Sequence, residues 1–311
     1  MYRYILPLLL FVILLGSCDH PKQAVIASAP LISEHFTDDV NREVTLAQVP
    51  QKVISLAPNI TEMIYAIGGE DKLIARSQVC DYPEAVLYLP EVSAYPSIDL
   101  PAIARMEPDL VLASSEIHNP IIHDYFDRLN LNLFFQSYET FDDIYRNIKV
   151  LGEMLHITEA ANQLVDSLSH MEQLISDSTA NQIKYKTVII MGVEPIIVAG
   201  GGSFLNEMLA KAGGKNAFAN VEERYPEITA EQLVKAAPEY LLFPTKNDQM
   251  YAELIARYPD LHTLLPAALN KHVFVVEPSI TVRPGPRIIE GLVALVRLLH
   301  PRIDLTDLFP E

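Results

Sequence analysis

Apolar positions change their rhythm several times along this chain. Ile5 to Leu15 is an almost continuous apolar run, with Arg3 before it and the small residues Gly16 and Ser17 after it, directly ahead of Cys18. A short positive flank, an apolar stretch and small residues form the layout of a secretory signal. The run is shorter than the roughly 20 apolar residues that a membrane-spanning helix needs. Residues 18–34 are polar, carry Pro21 and Pro30, and show no amphipathic period. They read as a flexible tether. Beyond them, short apolar blocks alternate with helical periods. Two strand-like stretches flank Asp38-Asp39, and Lys52 to Leu56 is a buried-type strand. A helix opens at Pro58-Asn59-Ile60-Thr61-Glu62, where Asn59 and Glu62 have capping-box spacing. Gly68-Gly69 closes it. Strands follow at Asp71–Ala75 and Asp109–Ala113. Such alternation predicts parallel α/β units.

The middle of the chain breaks the alternation. From Phe141 to about Ile183 there is no strand signal. Thr158 is placed to cap a helix whose apolar residues Ala161, Leu164, Val165, Leu168, Met171 and Ile175 recur at spacings of three and four, so one stripe is buried. About 20 helical residues span about 30 Å, enough to cross between two lobes. Strands resume at Thr187–Met191, Tyr240–Phe243 and His272–Val276. A last helix spans Gly285 to His300, and Pro301 stops it.

A repeat supports two lobes. At a constant offset of 130 residues, Tyr95-Pro96 matches Tyr225-Pro226, Ile98 matches Ile228 and Ile103 matches Leu233. Pro108-Asp109 then matches Pro238-Glu239, and Val111-Leu112 matches Leu241-Leu242. Solenoid periods are shorter, so the offset points to duplicated lobes. Tyr95 and Tyr225 would then occupy equivalent points on opposite walls of one cleft.

Composition narrows the function. The formal net charge is −17 and no basic run occurs, which sets nucleic acid aside as a partner. The two cysteines are Cys18 and Cys80. If Cys18 ends a signal, no internal disulfide is possible and the core must hold the fold. Cys80 reads as a small, semi-buried residue. Glu116, His118 and His123 follow the strand ending at Ala113, and carboxyl ends of strands face the crevice in open α/β sheets. The histidines are five apart with Pro120 between them, not a helical i, i+4 pair. They read as solvated loop residues. Contact with a ligand, or a zinc-dependent hydrolase built on Glu116, His118 and His123, are the alternatives. Gly200-Gly201-Gly202-Ser203 has neither a phosphate-loop ending nor a nucleophile-elbow frame. It reads as a tight loop. Arg283 and Arg287 flank Pro284-Gly285-Pro286, either reaching the cleft or lying on the surface. No nucleophile, base and orienter occur together as a recognisable set, so an enzyme is not expected.

Several motifs in order resemble a known family. They are Val53 to Glu62, Cys80-Asp81-Tyr82-Pro83, Pro108-Asp109-Leu110-Val111, Ser203-Phe204-Leu205, Gly213-Gly214-Lys215-Asn216 and Pro284-Gly285-Pro286-Arg287. Together they resemble the substrate-binding proteins of cobalamin, haem and iron-siderophore ABC importers, over about Phe36 to Pro301. Leu15-Gly16-Ser17-Cys18 also resembles the bacterial lipobox, in which the Cys thiol is acylated. Several acyl chains at about 0.8 kcal/mol per buried methylene make a stable anchor.

The resemblance implies an α/β fold of two Rossmann-like lobes with parallel sheets, joined by a single long helix, with the ligand cleft between them. The implied layout is a signal at 1–17, a tether at 18–34, an N-terminal lobe at 35–155, a linker helix at 156–183 and a C-terminal lobe at 184–311. Similarity is strongest to the cobalamin-binding members, which stack the corrin between aromatic side chains. Those positions fall on Tyr82, Tyr95 and Tyr225, whose rings suit a flat macrocycle and whose phenols add a polar handle. Glu116, Arg283 and Arg287 are further candidate ligand contacts. The chain has no Trp, so positions that often hold Trp would be Tyr. Tyrosinate also ligates haem iron, which keeps a haem or ferric-siderophore receptor as the alternative. The family docks on its permease through one acid per lobe. Glu231 matches in the C-terminal lobe, where it reads equally as a first-turn acid complementing the helix dipole; Pro101 stands at the N-terminal position, and Asp99 is the candidate replacement. Such rim charges steer encounter and fix register. The expectation is a monomeric, extracytoplasmic carrier without a resident cofactor, lipid-anchored at Cys18, that hands a corrinoid to an ABC permease and ATPase complex.

Overall fold

The computed structural model describes residues 33–94 and 97–305. The signal segment, Cys18, nearly all of the tether and Tyr95 lie outside the described residues. The first elements are β1 (Glu34–Thr37) and β2 (Glu43–Leu46), an antiparallel hairpin. Asp38 closes its turn, accepting from the amides of Val40 at 3.1 Å and Arg42 at 2.8 Å. Short acidic side chains are favoured in turns for this local bonding.

The N-terminal lobe holds β3 (Val53–Ser55), β4 (Leu73–Ser77), β5 (Glu91–Val92), β6 (Leu110–Ser114) and β7 (Leu133–Gln136). Their order is β5-β4-β3-β6-β7, all parallel. Every residue of β3 and β7 is buried, as expected of strands covered on both faces. The C-terminal lobe holds β8 (Lys186–Val193), β9 (Ile196–Val198), β10 (Lys215–Asn216), β11 (Glu227–Ile228), β12 (Tyr240–Pro244) and β13 (Val273–Val276). Here β10 and β12 run parallel to β8, and β13 parallel to β12. The sheet is mixed, however, because β9 returns antiparallel to β8 and β11 pairs antiparallel to β9. Only Glu194 and Pro195 separate β8 from β9. Two residues make a hairpin, whereas a parallel crossover needs a dozen or more.

The repeat is structural. Strand β6 begins at Leu110 and β12 at Tyr240, and their preceding helices begin at Leu100 and Ala230, each an offset of 130. The acid after the Pro break does the same work twice. One Asp109 carboxylate oxygen accepts from the amides of Gln51 at 2.7 Å and Lys52 at 2.9 Å, while the Asp109 amide donates to Lys52 at 2.8 Å. The Glu239 carboxylate accepts from the Lys186 amide at 2.8 Å, and its own amide donates to Lys186 at 2.7 Å. Each acid pins the start of its lobe's central strand.

The long helix between the lobes runs Thr158–Thr179. Its cap differs from expectation. Ile157 is the N-cap and supplies no side-chain bond, while the Thr158 hydroxyl points back to the Gly152 carbonyl at 3.4 Å. Ala161, Val165, Leu168 and Ile175 are buried, and Leu164 and Met171 are half-buried. The helix Phe141–Met154 lies against it at Gly152, where a Cβ would come within 2.4 Å of the Ala161 Cβ. One hydrophobic core runs through both lobes, joining Ile60, Phe134 and Phe141 to Leu168 of the linker and to Phe204, Met208 and Leu292. Smaller clusters fill the outer layers around Phe126 and Phe135 and around Leu241 and Phe243. Where three helices meet, Lys211 Nζ bonds Glu172 at 2.7 Å and Glu207 at 3.1 Å, and the Tyr145 hydroxyl donates to Glu172 at 3.0 Å. No helix among the described residues is long and apolar enough to cross a membrane.

Candidate functional site

The carboxyl ends of β3, β6 and β7 face the C-terminal lobe across a cleft. Its inner compartment has a volume of about 200 Å³. The N-terminal wall is Ala57 to Asn59, Ser114 to Glu116, and Tyr138 with Glu139; the C-terminal wall is Ser203, Phe204, Arg224, Tyr225 and Val282 to Pro284. Glu116 lies in this polar-rich lining. Tyr225 is half-exposed, at 38%. Partial burial, then the Glu116 carboxylate, push its phenol above the ordinary range, against a smaller opposing effect of Arg224.

The loop that presents Tyr225 is held by the glycine run. Gly200 donates to the Arg224 carbonyl at 2.8 Å and Gly201 to Val221 at 2.7 Å. A Cβ on Gly201 would lie 2.1 Å from the Ala219 oxygen, so only glycine permits this approach. The tight-loop reading therefore holds, and the close approach is to the chain's own backbone.

Tyr82 lines a second compartment, of about 360 Å³, together with Asp81, Lys246, Glu277, Arg283 and Arg287. Arg283 borders both compartments. Its Nη1 bonds Asp81 Oδ1 at 2.5 Å and Glu62 Oε1 at 3.2 Å. That hydrogen bond from Arg283 holds the Asp81 carboxyl below the usual carboxylate range. Arg287 forks onto Glu62, with Nε to Oε2 at 2.9 Å and Nη2 to Oε1 at 2.7 Å. The Glu62 side chain is 1% exposed. Fork-to-carboxylate pairing is the strong, directional form of ion pair. On the inner side, Arg224 pairs with Glu139 across the cleft.

These bonds correct the reading of the first helix, Pro58–Ala66. Its N-cap is Ala57, with no side-chain cap and Pro58 in the first turn. Asn59 and Glu62 form no capping box. Asn59 Nδ2 donates to the Pro284 carbonyl at 3.3 Å, and Glu62 carries both arginines. Both residues face the other lobe. The closing glycine is as expected, with Gly68 at φ +78°.

Other expected positions separate. His118 is exposed, but His123 sits half-buried on the helix Pro120–Arg128, with its ring 4.4 Å from His118 and 5.3 Å from Phe135. It is thus an aromatic packing residue rather than a solvated loop residue. Among the described residues no group of three or more His, Cys, Asp or Glu could hold a metal, so Glu116, His118 and His123 do not converge. Cys80 is buried, within 3.1 Å of the hydroxyls of Ser77 and Thr61. Glu231 is exposed in the first turn of the helix Ala230–Ala236, and Thr229 caps that helix with Gln232. Asp99 occupies the position equivalent to Thr229 and accepts from the Ala102 amide at 2.9 Å. Pro101 occupies the position equivalent to Glu231.

Sequence reasoning did not find Glu62, Asp81, Glu139 or Arg224 as cleft residues. Their partners lie at separations of 85 to 225 residues, and no local pattern signals such pairing.

Residues 53–279 match the family model described as periplasmic binding protein. A vitamin B12-binding protein of Vibrio parahaemolyticus is 30% identical over 256 residues, covering 80% of this chain and 90% of that protein. An uncharacterized ABC transporter substrate-binding lipoprotein of Bacillus subtilis is 29% identical over 311 residues, 94% of this chain and 95% of its own length. A periplasmic heme-binding protein from Pseudomonas aeruginosa has the same fold, with a TM-score of 0.75 at 23% identity over 82% of this chain and 94% of its own.

Proposed function

We propose, for a chain that belongs to the periplasmic binding protein family, that it is the lipid-anchored substrate-binding protein of an ABC importer and that its ligand is cobalamin or a related corrinoid. The family is one of transport proteins, and a small-molecule ligand and a permease partner follow from membership. The finer reading rests on one observation: tyrosines from both lobes line the interlobe space, Tyr82 on one side and Tyr225 on the other. A corrin offers flat apolar area to such rings, which bury large surface while keeping a polar end. Its amide-bearing rim suits the serines, Asn59, Glu116 and arginines of the walls. The match to the vitamin B12-binding protein across most of both chains supports the same ligand.

Tyrosinate ligates haem iron, so the same tyrosines keep haem as the second reading. Cys18, acylated, would fix the carrier to the membrane face, and Glu231 would be its C-terminal docking acid.

Calorimetric titration of the purified protein with cyanocobalamin tests the ligand. Saturable, stoichiometric binding is expected. No heat with cyanocobalamin, together with a Soret shift on adding hemin, would replace the corrinoid by haem.

A further inference from the structure

The cleft is divided. Tyr225 lines the inner compartment and Tyr82 the outer one, and Arg283 with Val282 forms the boundary between them. Clefts that enclose drug-sized ligands measure about 300–1,000 Å³. The inner compartment, at about 200 Å³, falls below that range. A macrocycle touching both tyrosines therefore cannot enter while the boundary stands.

The boundary is held by ions of opposite lobes. Arg283 reaches from the C-terminal lobe to Asp81 and Glu62 of the N-terminal lobe. Glu62 is buried and has both oxygens on Arg287, so its longer bond to Arg283, at 3.2 Å, can be given up without stranding its charge. The Asp81 end is different. Its side chain is 53% exposed, and exposed pairs contribute little and are screened by salt. The solvent-exposed link of the boundary is thus the one beside Tyr82, where a ligand would arrive.

We propose that the Asp81–Arg283 pair is a bar across the cleft that determines which ligands enter: it excludes wide, flat molecules until Arg283 releases Asp81, and the release joins the two compartments. The inference rests on the macrocycle-binding reading above. Differential interaction with the barred and open forms is what a ligand needs to shift them. A ligand spanning Tyr82 and Tyr225 contacts the open form alone, whereas a small ligand fits either compartment without opening it.

Stopped-flow binding of cyanocobalamin to the wild-type protein and to Asp81→Asn tests the bar. Asparagine keeps the shape and removes the charge. The association rate of the variant is expected to be about threefold to fivefold higher, the size an exposed ion pair supports. Added salt should speed association in the wild type and lose that effect in Asp81→Asn. An unchanged or slower association rate in the variant would overturn the proposal. A second readout needs no ligand. Nitroxide labels at Ile121→Cys and Leu269→Cys, both exposed, report the interlobe distance in a Cys18→Ser background. A longer or broader distance distribution in Asp81→Asn is expected; identical distributions would also overturn the bar. If cyanocobalamin binds neither protein, the corrinoid reading fails, and the distances still decide whether Asp81 and Arg283 hold the lobes.

Discussion

The guanidinium carbon of Arg287 lies 3.9 Å from the centroid of the Tyr82 ring. One face of the tyrosine is therefore already occupied, by a cation whose other edge forks onto Glu62. Cation–π stacking of this kind contributes about 0.5–2 kcal/mol. A flat ligand meets Tyr82 on its free face or displaces Arg287. Either way the ring should matter. Tyr82→Ala and Tyr225→Ala are each expected to weaken cyanocobalamin binding by about fivefold to tenfold, the scale of one aromatic pair. Tyr225→Phe, which keeps the ring, should bind nearly as the wild type. Calorimetry reads all three, and full affinity in both alanine variants would remove the tyrosines from the site.

Glu62 holds two arginines of the other lobe from a buried position. Removing one partner of a buried pair costs about 3–5 kcal/mol, because the remaining charge is stranded. Glu62→Ala should therefore lower the melting temperature sharply in a thermal scan. Glu62→Leu combined with Arg287→Met should recover part of the loss, since replacing both partners leaves fewer stranded charges.

His123 gives a pH signature. Its Nε2 is buried without a hydrogen-bond partner among the described residues. Burial first, then Arg42 and His118, lower its basicity below the ordinary histidine value, while Asp38 and Asp127 oppose the shift. Because the unfolded chain binds this proton more readily, stability is fully present above the unfolded pKa of about 6.5 and falls as pH drops below it. Urea unfolding at pH 7.5 and pH 5.5 should show the fall, and His123→Phe should reduce it.

Gly201→Ala forces a Cβ against the Ala219 oxygen. Overpacking of this kind costs about 1–3 kcal/mol. It also shifts the loop carrying Arg224 and Tyr225, so ligand affinity should fall along with the melting temperature. A variant that melts lower yet binds unchanged would separate the loop from the site.

The two rim acids should respond differently. Glu231 is exposed in the first turn of its helix, where Thr229 and its own amide hold its carboxyl below the usual range, so Glu231→Gln should lower the melting temperature only slightly and slow association with permease-containing proteoliposomes, most visibly at low salt. Asp99 caps its helix, so Asp99→Ala should cost about 1 kcal/mol of stability. An equal loss of association in both variants would give Asp99 a docking role beside its cap.

Much of this molecule was readable because its signals are local. Alternating strands and helical periods need only neighbours a few residues away, and β3, β6, β12 and the linker fell within a few residues of their expected places. The 130-residue offset carried further, since Asp109 and Glu239 repeat one backbone-pinning role. The failures share a cause. Asn59 and Glu62 have the spacing of a cap, and spacing was all that could be judged. Their true partners, Pro284, Arg283 and Arg287, lie more than 220 residues away. The mixed C-terminal sheet was missed because the apolar pattern marks only Thr187–Met191 as a strand there, and the short Ile196–Val198 strand beyond the Glu194-Pro195 turn carries too few residues to show a period.

The core shared by Ile60, Leu168 and Leu292 has a thermodynamic consequence. Neither half of the chain possesses a complete interior of its own, so the halves should not melt in succession. Heating should give a single calorimetric transition, with its van't Hoff and calorimetric enthalpies equal. A fragment ending before the linker helix, left with an uncovered apolar face, should fail to fold.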